Sequence, residues 1–149
     1  MVLVFAFGLS ACSSDRTFLP ALLADPMASY DADGIERIDR STQAEGRDFI
    51  WGKPEHAEVT LVYRIEDQAT VSEVLGRAVE EAAASGWSLE QSSESHFRGS
   101  KELSPGSGRI SIATHTENVL ENPGGPQVLS IRLDFGPVSS SNTADSRMI

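Results

Sequence analysis

Three histidines, His56, His96 and His115, are the side chains in this 149-residue sequence best suited to hold a metal ion. His96 and His115 lie on either side of a turn signal, Pro105-Gly106-Ser107-Gly108, that punctuates two extended segments. A hairpin centred between Pro105 and Gly106 sets His96 opposite His115 on its polar face. It pairs Phe97 with Thr114, Gly99 with Ile112, Lys101 with Ile110 and Glu102 with Arg109. Two cross-strand imidazoles make a metal site when a third ligand is near. His56 precedes the first clear strand and Asp134 sits on the last, and the sequence fixes neither beside the pair. A metal-dependent hydrolase working through His96 and His115 is thus one reading. Solvated surface histidines with no metal bound is the reading the residues favour.

Other constellations lead to simpler expectations. Asp31-Ala32-Asp33-Gly34 has the alternating carboxylates of a calcium loop. Extending that frame puts Ser29 at the first ligand position and Arg40 where a closing glutamate belongs, so an Asx-type turn is expected. No serine stands in a G-x-S-x-G elbow, and neither a G-x-x-x-x-G-K-[ST] loop nor a G-x-G-x-x-G turn is present. Glu80 and Glu81 fall on a helix face that Arg77 and water suffice to solvate. Trp51 and Trp87 could line a pocket; core packing is the expected fate of Trp87, which directly follows a helix cap. No catalytic residue and no cofactor are expected.

Cys12 is the only cysteine, so an internal disulfide, a cysteine zinc site and a C-x-x-C redox pair are all ruled out. It follows a short apolar run, residues 2–8, far below the roughly 20 residues a spanning helix needs. The run has the character of a signal-peptide core. Leu9-Ser10-Ala11-Cys12 resembles the lipobox of bacterial lipoprotein precursors. That resemblance implies cleavage before Cys12 and diacylglycerol on its thiol, two acyl chains that together hold a protein on a membrane. Lipoprotein signals normally begin with Lys or Arg, and none precedes Arg16, so Met1 reads as an internal start.

The chain carries 22 acidic against 12 basic residues, a formal net charge of −10, and its field repels nucleic acid and anionic lipid headgroups. The bases are scattered without a polybasic run, so any membrane attachment must be covalent. Ten of the twelve bases are Arg, the bias of a GC-rich genome. With 40% hydrophobic residues the chain has the composition of a folded domain.

Certain elements must position these residues. Phe18-Leu19-Pro20-Ala21-Leu22-Leu23-Ala24 allows one or two helical turns, stopped at Asp25-Pro26. From Gly34 to Gly46 the pattern suits either a helical turn around Ile35 and Ile38 or an irregular strand. Phe49, Ile50 and Trp51 form an apolar cluster expected to pack on the domain. Ala57, Val59, Leu61, Tyr63 and Ile65 alternate with polar residues, the mark of a half-buried strand. Thr70-Val71-Ser72-Glu73 fits a capping box, opening a helix whose stripe is Val71, Val74, Leu75, Ala78, Val79 and Ala82, closed by Gly86. Trp87 and Leu89 lead into one strand that runs on through Phe97 as the first arm of the hairpin, with a weakly apolar middle at Gln91, Ser93 and Ser95 that suits a sheet edge. After Asn122-Pro123-Gly124-Gly125-Pro126, Leu129, Ile131, Leu133 and Phe135 alternate as a last strand.

The expected fold is α+β: a two-layer sandwich, β-α-β-β-β, with one helix on a mostly antiparallel sheet. Residues 1–11 read as a lipoprotein signal peptide, 12–33 as a lipidated N-terminus and linker, 34–138 as a single domain and 139–149 as a disordered tail. The chain is similar to small lipoproteins of high-GC Gram-positive bacteria, many without assigned activity. The resemblance rests on the lipobox, Asp25-Pro26-Met27-Ala28 and Ala82-Ala83-Ala84-Ser85-Gly86-Trp87. It implies a lipid-anchored protein on the outer side of the cell membrane. A non-catalytic binding module, with an envelope protein or small ligand as partner, is the expected role. A metal-dependent hydrolase and a structural subunit of an envelope complex are the alternatives.

Overall fold

The period-two run at residues 57–65 forms a strand, β2 (Ala57–Ile65), over its whole expected length. Ala57, Val59, Leu61, Tyr63 and Ile65 are buried and the residues between them are partly or fully exposed. The computed structural model describes residues 18–46, 56–104, 106–117 and 120–136. The lipobox with Cys12, the Phe49-Ile50-Trp51 cluster and the tail from residue 139 lie outside the described residues.

The other elements are a short helix α1 (Phe18–Leu23), a 3-10 turn (Pro26–Ser29), β1 (Ile35–Gln43), the main helix α2 (Val71–Ala84), β3 (Ser88–Ser93), β4 (His96–Leu103), β5 (Gly106–Thr116) and β6 (Gln127–Phe135). The six strands form one antiparallel sheet in the order β1-β2-β6-β5-β4-β3. The molecule is therefore mostly β, with one main helix and two strands more than expected. Helix α2 carries the chain from β2 to the far edge, and β3 to β6 meander back to pair with β2.

Both extra strands are hard to read for physical reasons. In β1 the register with β2 shifts between Arg37 and Asp39, which leaves Ile38 as the extra residue of a bulge. A bulge breaks the period that marks a strand, and only Ile35 of β1 is buried. The segment after Trp87, expected as one strand, turns at Glu94-Ser95 into the hairpin β3–β4. As expected, β3 lies at the sheet edge.

Helix α2 begins after Thr70, whose φ of −81° and ψ of 128° are those of an N-cap, but Thr70 makes no side-chain cap hydrogen bond. The expected capping box is thus not formed. Its other end closes as expected. Gly86 has φ +92°, Trp87 N–H donates to Ala82 C=O at 3.1 Å and Gly86 N–H to Ala83 C=O at 3.0 Å, the paired bonds of a Schellman motif. Val74, Leu75, Ala78 and Ala82 face the core, where α2 meets β3, β5 and β6.

The boundary expected at residue 34 is corrected. Leu22, Met27, Ala28 and Tyr30 are buried in the same core as β2 and β6, and the Phe18 ring lies 4.5 Å from that of Phe135. Residues 18–33 are part of the domain. Glu45 holds the front of α1, its carboxylate accepting from Phe18 N–H at 3.0 Å and Leu19 N–H at 3.1 Å, two of the donors a helix start leaves without partners.

One buried charge braces this core. The Asp25 carboxylate accepts from Met27 N–H at 2.9 Å, Trp87 Nε1–H at 3.1 Å and Lys101 Nζ at 2.6 Å. Lys101 also donates to Ser85 C=O at 2.5 Å, where α2 ends. The N-terminal segment, the helix end and β4 are thereby joined at one carboxylate, and Trp87 is buried there as a core residue.

Candidate functional site

The hairpin β4–β5 closes at Leu103 opposite Gly106, so its turn is centred one residue earlier than expected. Moving a turn centre by one residue moves every partner by two, which keeps each side chain on its face but changes its neighbour. Phe97 lies opposite Ile112, Gly99 opposite Ile110, Lys101 opposite Gly108, Glu102 opposite Ser107 and His96 opposite Ala113. This register leaves no room for a side chain at position 108. A Cβ at position 108 would lie 2.6 Å from Leu103 Cδ1 and 3.2 Å from Trp87 Cη2, so glycine suits this register beside the Trp87 indole.

The register overturns the expected pairing of His96 with His115. His115 sits diagonally from His96, about 7–8 Å away between α-carbons. The His96 ring leans the other way, its Nε2 2.7 Å from Ser111 Oγ. His56 lies beyond the opposite end of the sheet, at least five residues along from the His96 row, or about 17 Å. Among the described residues no group of three or more His, Cys, Asp or Glu could hold a metal ion. Asp31 accepts from Ala32 N–H, the next residue, which is one residue short of an Asx turn.

The register also gives the polar sheet face, away from the helix, a groove that the sequence does not reveal. Alternation sends Glu58, Thr60 and Val62 of β2, Ser130, Arg132 and Asp134 of β6, Arg109, Ser111 and Ala113 of β5, and His96, Arg98 and Ser100 of β4 to the face opposite the core. No described element packs on that face. One cross-strand row reads Thr60, Arg132, Ser111, Arg98, Glu90 from β2 to β3. The next reads Glu58, Asp134, Arg109, Ser100, Ser88. Between them lies a shallow groove of about 420 Å³ lined by His96, Arg98, Arg109, Ser111, Arg132 and Asp134.

Two of the arginines are partly engaged. Arg109 Nε donates to Asp134 Oδ1 at 2.7 Å, and Arg132 Nη2 donates to Glu58 Oε2 at 2.6 Å. With Arg109 and Arg132 side chains 57% and 54% exposed, such pairs contribute about 0–1 kcal/mol each and yield readily to a stronger acceptor. Arg98 is exposed and forms no ion pair or hydrogen bond with any described residue, although Glu90 is its cross-strand neighbour.

A serine hydroxyl touching an imidazole could begin a nucleophile–base pair. Two further requirements are missing among the described residues: His96 Nδ1 has no acceptor there, and β5 is flanked on both sides by paired strands, so its backbone N–H groups are committed to the ladder. What the groove does present is guanidinium N–H groups beside the His96–Ser111 contact.

A second groove, of about 400 Å³, lies between the loops after β2 and before β6, lined by Ile65, Glu66, Asp67, Ala69, Gly125 and Pro126 among others. It offers no comparable convergence of donors. Burial, chiefly, pushes the Tyr63 phenol up to about 12, with Arg37 and Arg40 opposing and Asp31 and Tyr30 adding to the rise. Tyr63 donates to Tyr30 C=O, a structural bond inside the core. No family model, no curated protein and no solved structure matches the chain. No helix among the described residues is long and apolar enough to cross a membrane.

Proposed function

We propose that this chain is an extracytoplasmic lipoprotein, held on the cell membrane by diacylglycerol on Cys12, and that its domain is a non-catalytic module binding a ligand on the uncovered sheet face. Cleavage before Cys12 and acylation there follow from the resemblance of Leu9-Ser10-Ala11-Cys12 to a lipobox. In this reading the domain is a two-layer α+β sandwich with its helices on one face only.

The observation that carries the binding role is the contrast between the two faces. One is closed by α1, the 3-10 turn and α2 over a continuous core. The other presents a groove where His96, Arg98, Arg109, Ser111 and Arg132 converge. Flat antiparallel sheets commonly expose one polar face to water, so convergent, incompletely paired donors are what distinguishes this surface. The metal-dependent hydrolase is the alternative reading; it rests on His96 opposite His115, whereas His96 faces Ala113.

The anchor is tested by fractionating cells of a lipoprotein-processing bacterium that express the full chain. Wild type is expected in the membrane fraction and Cys12→Ser in the soluble fraction. Equal membrane retention of both would overturn the anchored reading.

A further inference from the structure

We infer that the groove over Ser111 is an oxyanion site, taking a carboxylate or phosphate group of the ligand between the guanidinium groups of Arg98 and Arg132. This rests on the open sheet face being the binding surface and names the chemistry that face selects.

Arg98 on β4 and Arg132 on β6 flank Ser111 on the strand between them, two strand spacings or about 10 Å apart at their α-carbons. Arginine side chains are long enough to converge over the central hydroxyl from that distance. A guanidinium offers five N–H donors in a planar fork that matches the oxygens of a carboxylate or phosphate. Arg132 commits Nη2 to Glu58, and Arg109 commits Nε and Nη2 to Asp134. Arg98 commits none to a described residue. Ser111 Oγ lies beneath these arginines in contact with His96 Nε2, and with the imidazole donating to that oxygen the hydroxyl proton is free for the anion; Glu58 and Asp134 are already paired with arginines.

The charge pattern points the same way. A chain of net charge −10 repels anions on average, yet three arginines gather on this one surface. No two of them are direct cross-strand partners, and Glu58, Asp134 and Glu90 share the face, so what an anion over Ser111 would meet is the guanidinium N–H groups that Glu58 and Asp134 leave free. Glu90, beside Arg98, limits the site to one compact oxyanion and disfavours an extended polyanion.

The test is NMR titration of the full folded domain with inorganic phosphate and, separately, succinate, at ionic strength held constant with sodium chloride. Expected are saturable shifts at residues 96–98, 109–111 and 131–132 with at least one probe, weakened tenfold or more by Arg98→Gln and less by Arg98→Lys, which keeps charge but loses the fork. A response to phosphate alone assigns a phosphate-bearing ligand, and to succinate alone a carboxylate-bearing one. No saturation with either probe, or an unchanged response in Arg98→Gln, overturns the site. Arg98 is exposed, so both variants are expected to fold, as matching spectra elsewhere would verify. Light scattering on the same samples separates the two levels of the reading: a monomer unresponsive to both probes refutes only the oxyanion site, whereas a dimer protecting residues 96–111 refutes the open face itself.

Discussion

Replacing Asp25 with alanine strikes the one place where three separate parts of the chain meet. Its side chain is wholly buried, whereas that of Lys101 is 22% exposed. Removing the carboxylate leaves the Met27 N–H, the Trp87 indole N–H and the Lys101 ammonium without their acceptor. A buried donor left unpaired costs about 1–3 kcal/mol, and breaking a buried ion pair by deleting one partner costs about 3–5 kcal/mol. These penalties share one group and do not add. Lys101 keeps its bond to Ser85 C=O and reaches water. A loss of about 3–4 kcal/mol is expected, near the low end of the ion-pair range. Domains of this size hold only about 5–15 kcal/mol in total, so urea unfolding followed by far-ultraviolet circular dichroism should show a large fall in midpoint. Asp25→Asn keeps an acceptor for Met27 and Trp87 and is expected to lose less. Combining Asp25→Asn with Lys101→Met should recover part of the Asp25→Asn loss, because the unpaired ammonium is gone. An Asp25→Ala unfolding free energy within about 1 kcal/mol of wild type would refute the view that this carboxylate braces the core.

Leu22→Ala, which empties a fully buried site in the segment before residue 34, should cost about 2–5 kcal/mol in the same assay; a neutral effect would return that segment to a linker. Gly99→Ala would set a Cβ 2.6 Å from Ser88 C=O and 2.7 Å from Leu89 Cδ2, and a loss of about 1–3 kcal/mol is expected from overpacking, measured by the same denaturation. Tyr63 titrates at about 12 when folded against about 10 unfolded, so its contribution is complete below pH 10 and is lost as pH rises towards 12. Tyr63→Phe should cost about 1–3 kcal/mol at neutral pH by leaving Tyr30 C=O unpaired and should flatten the alkaline fall, with a residual slope from Tyr30, whose phenol burial also raises; unfolding curves from pH 8 to 12 decide it.

Elements with an undisturbed period were legible in the residues alone. β2 and β6 alternate without a break, and α2 has both its stripe and a glycine stop, so their positions follow from local spacing. β1 was ambiguous because Ile38 interrupts its period and its partner β2 alone gives it shape. Residues 18–33 read as part of a linker because the apolar patch from Phe18 to Ala24 gives a helix of only six residues that stops at Asp25-Pro26, although Leu22 and Met27 were an apolar signal. The histidine pairing failed through one residue of turn position, a distance that a Pro-Gly signal does not resolve. The same shift sets Arg109 opposite Ser100 in place of Glu102, and the acid it meets, Asp134, comes from β6 on its other side. The groove was not legible because Arg98, Arg109 and Arg132 come together only once the order β6-β5-β4 is known. Lys101 did carry a clue: a lysine in the inward row with Phe97, Gly99 and Leu103 needs a carboxylate, but only the fold identifies Asp25.

Placement of this domain outside the cytoplasm turns on the sulfur of one residue, and the mass of the N-terminal peptide isolated from washed membranes reads it directly. The predicted result is a peptide that begins at Cys12 and carries the added mass of a thioether-linked diacylglyceryl group. A peptide that continues upstream of Leu9, with Cys12 a free thiol, would contradict it.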